Sequence, residues 1–302
     1  MKVAVTGGAG FIGSHLVDRL IEEDNEVLII DTLLSGSNTN TKAKFLKKDI
    51  RDELSADLEG IETVFHFAAD PDVRSSSTNP QKSFDLNVNG TFILLESCRK
   101  ADVKRMIFAS TSTVYGETAT MPTPEDHPCR PISNYGASKL ACEGYLSSYS
   151  ASYGIKGTSL RLANIFGERS THGVMYDFFH KLKKNPNELE ILGDGKQGKS
   201  YLHVLDTVSA VLTAWKKQEL QYDVFNVGSK EQKTVNEIAQ LMCKLMDATP
   251  KFEYTGTTRG WVGDVKLMLL DTSKIEKLGW KQEISFEESL KAYLKWLRSN
   301  SI

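Results

Sequence analysis

With 302 residues, 37 basic and 39 acidic side chains and a formal charge of -2, the chain can bury a sizeable core, and it has no electrostatic footprint for nucleic acid or a membrane surface. Cys98, Cys129, Cys142 and Cys243 lack Cys-x-x-Cys spacing and indicate neither a disulfide framework nor a zinc site. The opening apolar run Val3-Ala4-Val5 is too short for a signal peptide and no later stretch approaches membrane-spanning length, so a cytoplasmic protein is expected.

Short β-branched runs alternate with helical patterns through the first half. In chain order they are KVAVT (2–6), a helix from Phe11 to Glu23, EVLII (26–30), KFLKK (44–48), TVFHFAA (63–69), a long helix around Gln81 to Ala101, and RMIFAS (105–110). This alternation predicts βαβ units, hence a doubly wound parallel α/β sheet with helices on both faces. After a loop with Pro122, Pro124, Pro128 and Pro131, a helix from about Ser133 to Tyr153 leads into the strand GTSLRLANIFG (157–167). Beyond Asn164 the pattern changes: helices near Val174 to Lys184, Asn236 to Met246 and Phe286 to Arg298 are separated by short strands, which predicts a smaller α+β lobe. The run Lys181-Leu182-Lys183-Lys184 reads as the solvated end of the first of these helices. DVFNVG, from Asp223 to Gly228, resembles the early strands and is expected to rejoin the main sheet.

The first strand ends in TGGAGFIG, where Gly7, Gly10 and Gly13 open a helix. Without a Cβ the backbone can turn tightly and approach a pyrophosphate, while the helix N-terminus offers N–H donors and the positive end of its dipole. Asp31 closes the next strand, about twenty residues on, where an acid accepts hydrogen bonds from a ribose; its charge favours NAD over NADP. An ordinary tight turn would use the same glycines, and a turn or N-cap the same acid.

Tyr135 and Lys139, in YGASK, lie four apart at the start of a helix and so share one face. A nearby ammonium is expected to lower the phenol's pKa and make it a usable base. A surface helix pair has the same spacing. STSTVYG (110–116) adds a row of hydroxyls without an acid.

Taken in order, the glycine turn, the hydroxyl string ending in VYG, YGASK, RLANIFG, GDGKQGKSYLHVLD and RGWVGDVKLMLLDTSK resemble the extended short-chain dehydrogenase/reductases that act on sugar nucleotides, and most of all the smaller UDP-glucose 4-epimerases. The resemblance runs over nearly the whole chain. It implies a Rossmann-type NAD-binding domain at 1–163 and 200–228, and a UDP-sugar lobe at 164–199 and 229–302. It also implies a homodimer formed through the helices near 81–101 and 133–153. Cofactor contacts are implied for Gly7, Gly10, Phe11, Ile12, Gly13, Asp31, Thr32, Ser35, Gly36, Ser37, Asp49 and Ile50, then Phe67, Ala68, Ala69, Asn87, Ser110, Tyr135 and Lys139. Thr111, Tyr135 and Lys139 are implied as the proton relay. Around the UDP-hexose the resemblance places Thr111, Tyr135, Asn164, Val174, Leu192, Lys199, Tyr201, Arg259 and Asp264. Two positions depart from the pattern: Lys199-Ser200 stands where many relatives have Arg-Asp, and Trp261 stands where an arginine is common, so Arg259 is assigned two positions earlier.

Related 4,6-dehydratases carry Asp-Glu after the catalytic alcohol, and relatives that decarboxylate UDP-glucuronate carry Glu before VYG. Ser112 and Thr113 occupy those places here. Hydride removal and return without elimination remains, as an epimerase requires. The expected activity is interconversion of UDP-glucose and UDP-galactose through a 4-keto sugar, its rival a 4-epimerase of UDP-N-acetylhexosamines or UDP-glucuronate. The residue aligned with Met268 bears on that choice, and methionine is intermediate in bulk. A nucleotide sensor without turnover would need no Tyr and Lys pair. His203 is read as structural, and Arg74 equally as a substrate contact or an exposed loop residue.

Overall fold

The computed structural model describes residues 1–34, 36–256 and 265–300. Its first half runs β1 (Lys2–Thr6), α1 (Phe11–Glu22), β2 (Glu26–Ile30), β3 (Lys44–Leu46), β4 (Thr63–His66), α2 (Pro80–Ser83), a π-helical stretch Phe84–Asn89, α3 (Gly90–Lys100), β5 (Arg105–Thr111), α4 (Asn134–Tyr153) and β6 (Lys156–Leu162). It continues through β7 (Asn164–Phe166), α5 (Val174–Lys184), β8 (Glu188–Ile191), β9 (Gly198–His203), α6 (Val204–Lys217), β10 (Tyr222–Val227), β11 (Gln232–Thr234), α7 (Val235–Met246), β12 (Lys251–Tyr254), β13 (Leu267–Met268), α8 (Ser273–Lys277) and α9 (Phe286–Asn300).

Alternate residues of each early strand face opposite sides of one sheet, and both sides are apolar. Val3, Val5, Ile29, Phe65 and Ile107 pack with Leu16 and Leu20 of α1 and Val208 and Val211 of α6. Ala4, Leu28, Val64, Met106 and Phe108 pack on the other side with Leu94 and Leu95 of α3 and Cys142 and Leu146 of α4. The result is a seven-stranded sheet in the order β10-β6-β5-β4-β1-β2-β3, every adjacent pair parallel. Strand order reverses between β1 and β4, and the crevice beyond the carboxyl ends of these strands is where such sheets bind nucleotides. β10 pairs with β6 as DVFNVG suggested.

GTSLRLANIFG is not one strand. It breaks at Ala163, and β7 leaves the main sheet to pair with β9, with Asn164 opposite Tyr201. β9 also pairs with β11 and β13, while β8 and β12 form a separate parallel pair. Here α5, α7 and α9 enclose another core around Phe166, Phe178, Ile238, Leu290 and Tyr293. α6 did not stand out in the sequence: β9 runs into it with only His203 as N-cap, and no Gly or Pro marks the change.

α4 carries the YGASK residues and has defined ends. Ser133 Oγ accepts from the Gly136 N–H at 3.1 Å, and Gly154 closes the helix with φ +75°. The helix therefore starts one residue before Tyr135, with its N-cap two before, and fixes where that side chain projects.

Candidate active site

The glycine turn sits at the carboxyl end of β1 against the loop after β4. Gly7 has φ +69°, and a Cβ there would lie 2.6 Å from Ala68 N; at Gly13 it would lie 2.1 Å from the Gly7 carbonyl oxygen. A side chain at Gly7 would push apart the two loops that frame the crevice, and one at Gly13 would force the glycine turn itself open. α1 begins after Gly10 with no side-chain cap, so Phe11, Ile12 and Gly13 open it at a helix end suited to an anion. Asp31 accepts from Ala9 N–H at 3.0 Å and from Leu33 N–H at 2.8 Å, which is the turn role considered above. A carboxylate has about four acceptor sites, so ribose hydroxyls can share it. Thr32, Gly36 and Ser37 lie on the loop that folds back onto the turn, where Asn38 N–H reaches the Ala9 carbonyl at 3.2 Å. These features fit a dinucleotide. Ser35 lies outside the described residues.

Phe67, Ala68 and Ala69 keep partial exposure on the loop after β4. Other expected cofactor residues are engaged by the protein. Arg51 holds the Asp49 carboxylate through Nε at 2.9 Å and Nη2 at 2.7 Å, and lowers its pKa. Ile50 is buried against Gly90. Asn87, also buried, accepts from Asp70 N–H at 2.8 Å and donates to Ser138 Oγ at 3.0 Å. Ser110 donates its hydroxyl to Glu143, which leaves its backbone as the part able to meet a cofactor.

Thr111 caps the turn Ser112–Tyr115, its Oγ1 accepting from Thr113 N–H at 3.2 Å, and it is close enough to the Tyr135 phenol to lower its pKa. Lys139, one helical turn beyond Tyr135, is buried and donates to the Ala109 carbonyl at 2.8 Å. Thr111, Tyr135 and Lys139 thus gather at the carboxyl end of β5. The expected electrostatics do not hold, however. Burial pushes the phenol up to about 12, with Thr111 opposing and the Asp70 carboxylate adding to the rise. Burial likewise brings the Lys139 ammonium down to about 8. The protein around each group favours its neutral form, and the ammonium is directed at a backbone carbonyl.

Asp70 escaped the sequence reading. It is buried after β4, its Oδ1 3.1 Å from Lys82 Nζ, and its only signal was the AADPDV loop. Glu143 was also missed, although it follows Lys139 by four residues on the same helix face. It meets Arg161 through Nη2 at 2.7 Å and Nε at 3.1 Å, both side chains buried. Arg161 Nη1 donates to the Tyr115 hydroxyl at 2.9 Å, Tyr115 donates to Asn226 Oδ1 at 2.7 Å, and Asn226 Nδ2 donates to the carbonyls of Thr123 at 2.9 Å and Asp271 at 3.1 Å. This buried polar chain links the catalytic strand to the segment after β13.

On the second sheet, Asn164 and Tyr201 are register partners, and Asn164 Nδ2 donates to the Ser200 carbonyl at 3.4 Å. Lys199 and Tyr201 share one face of β9, and Lys199 is opposite Met268. Val174 opens α5 and Leu192 follows β8. Arg259, Trp261 and Asp264 lie outside the described residues. Arg74 is exposed. His203 accepts from Leu205 N–H at 3.3 Å and lies 3.1 Å from Glu168, in keeping with a structural role.

Residues 3–228 match the family described as NAD dependent epimerase/dehydratase family. The UDP-glucose 4-epimerase of Lactobacillus helveticus is 34% identical over 327 residues, covering 99% of this chain and 98% of the relative. The crystal structure of UDP-glucose 4-epimerase with UDP-glucose from Thermotoga maritima has 38% identity and a TM-score of 0.93, covering 99% of each chain. A UDP-N-acetylglucosamine 4-epimerase from Methanobrevibacter ruminantium M1, in complex with UDP-N-acetylmuramic acid, has 33% identity and a TM-score of 0.91, covering 99% of this chain and 98% of that one. With the glycine cradle and its acid in place, the chain belongs to the NAD-dependent epimerase/dehydratase family.

Proposed function

We propose that the chain interconverts UDP-glucose and UDP-galactose at carbon 4 without eliminating water. One observation carries this reading: the Tyr135 phenol and Thr111 act on one another at the end of β5, with Lys139 one helical turn along α4 from Tyr135 and bonded to the Ala109 carbonyl of β5, and with hydroxyls, not acids, at Ser112 and Thr113. Bound NAD would supply the acceptor for the C4 hydride and return it. As the phenolate, its own proton having passed to solvent, Tyr135 takes the proton of the 4-hydroxyl directly or through Thr111, and gives it back once the 4-keto sugar has turned about its pyrophosphate link. Lys139, mostly charged at neutral pH with a pKa of about 8, would favour the phenolate once it turns from the Ala109 carbonyl toward Tyr135. Asp70, whose Oδ1 pairs with Lys82, lies on the loop after β4 and not in the turn after β5 that holds Ser112 and Thr113.

Gly7, Gly10, Gly13 and Asp31 hold the dinucleotide on this reading. Asn164, Val174, Leu192, Lys199 and Tyr201, with Arg259 and Asp264, hold the UDP. The nucleotide part then comprises 1–163 and 200–228, and the UDP-sugar part 164–199 and 229–302.

The test is a panel of UDP-hexoses with product identification, alongside Tyr135→Phe. UDP-glucose and UDP-galactose are expected to interconvert, and Tyr135→Phe to lose about 10²–10⁴-fold in kcat with NAD still bound. Higher kcat/KM on UDP-N-acetylglucosamine or UDP-glucuronate would transfer the reading to that sugar, and a dehydrated product would end it.

A further inference from the structure

We propose that His66 is a positioning residue for the dinucleotide, a buried imidazole that sets the register between the glycine turn after β1 and the loop after β4. These loops touch across the crevice, which is why Gly7 has no room for a Cβ beside Ala68. Their relative position is therefore part of cofactor binding.

His66 ends β4 with none of its surface exposed, on the sheet face covered by α3 and α4. Its Nδ1 lies 2.8 Å from Thr6 Oγ1, and its Nε2 lies 2.9 Å from Thr91 Oγ1. Thr6 is the last residue of β1, and the same Oγ1 accepts from the Ala68 N–H at 3.3 Å. One hydroxyl thus holds the root of the glycine turn, the imidazole and the facing loop. Each threonine hydroxyl can donate or accept, and the neutral imidazole donates to one of them and accepts from the other, so both of its nitrogens are bonded.

The chain extends to the catalytic helix. Cys142 Sγ of α4 lies 3.3 Å from both Thr91 Oγ1 and the Asn87 carbonyl. Asn87 takes the Asp70 N–H and donates to Ser138 Oγ, and Ser138 donates to the Tyr135 carbonyl at 2.7 Å. The imidazole also packs on Phe108, ring centroids 5.5 Å apart, and Lys139 Nζ lies 4.7 Å from the centroid of that ring. Burial, together with Lys139, holds the imidazole's pKa at about 3, so it is a neutral bracket at any working pH. An apolar ring of similar size would fill the space, but it would leave two buried threonine hydroxyls without the bonds that tie the loops together.

The test compares His66→Phe and Thr91→Val with the wild type. The readouts are NAD retained per chain after gel filtration, the added NAD that restores half occupancy, and Tm of the same samples. His66→Phe is expected to raise the half-occupancy concentration by about tenfold or more, and His66→Asn, which keeps a donor and an acceptor, to recover part of it. NAD affinity within about twofold of wild type in folded His66→Phe, whatever its Tm, would overturn the proposal. If that variant does not fold, Thr91→Val carries the test. It removes the partner of Nε2 from a helix outside both loops, and unchanged NAD affinity there would overturn the proposal equally.

Discussion

Lys139 shows how far burial can change a group whose identity and spacing are plain in the sequence. In the unfolded chain its amine titrates near 10.5, and in the fold at about 8. Between these values the unfolded chain holds the extra proton, so this group makes stability rise with pH from about 8 to about 10.5. Below that window the buried charge costs at most about 3 kcal/mol. NAD-free Lys139→Met is therefore expected to be more stable than wild type at pH 7, with the advantage shrinking to nothing toward pH 10.5. Urea titrations of both proteins at several pH values measure this, and an offset independent of pH would refute it. The placing of Tyr135 and Lys139 at the start of α4, of Asp31 at the end of β2 and of the glycines in the turn after β1 was legible because residue type and spacing carry that signal, whereas Thr111 was singled out only through the resemblance. The direction of the phenol's shift was not legible, because burial and Asp70 reach Tyr135 from elements distant in sequence.

Among elements, the strand–turn–helix unit at the start of the chain is the most exacting. Ala at position 13 would place its Cβ 2.1 Å from the Gly7 carbonyl oxygen, a backbone atom that cannot move without opening the turn. Gly13→Ala is expected to lose about 1–3 kcal/mol and most of its bound NAD. Thermal unfolding and the NAD content of the purified protein check both, and a variant that keeps its NAD would show that the turn has slack. The parallel sheet could be read from the sequence because doubly covered strands are continuously apolar and the first-half connections carry helical periodicity. Two features were hidden for identifiable reasons. β9 passes into α6 without Gly or Pro, and the break at Ala163 depends on β7 finding β9 some forty residues later, which no local pattern records.

At the scale of the whole molecule, the buried Glu143–Arg161 pair and its chain through Tyr115 and Asn226 join the main sheet to the Thr123 and Asp271 segments. Arg161→Leu would leave Glu143 charged and unpaired, so a loss of about 3–5 kcal/mol in urea unfolding is expected, and Glu143→Leu with Arg161→Leu should lose less. A double variant as unstable as Arg161→Leu would show that packing, not charge, sets the cost. The outer face of the helix pair carries a band of aromatic side chains. Phe92 of α3 lies edge-on to Tyr145 and Tyr149 of α4 at 5.6 and 6.4 Å, Tyr149 meets Tyr153 at 5.0 Å, and Arg99 covers Tyr153 at 5.3 Å. Phe84, Phe92, Tyr145 and Tyr153 remain exposed, an aromatic band of the kind that marks a protein interface. We propose a homodimer closed by α3 and α4. Because the band carries none of the groups assigned to NAD or sugar, Phe92→Lys with Tyr145→Lys is expected to give a folded monomer that retains NAD. Sedimentation at micromolar concentration decides the matter, and a wild-type chain that sediments as a monomer would remove the dimer.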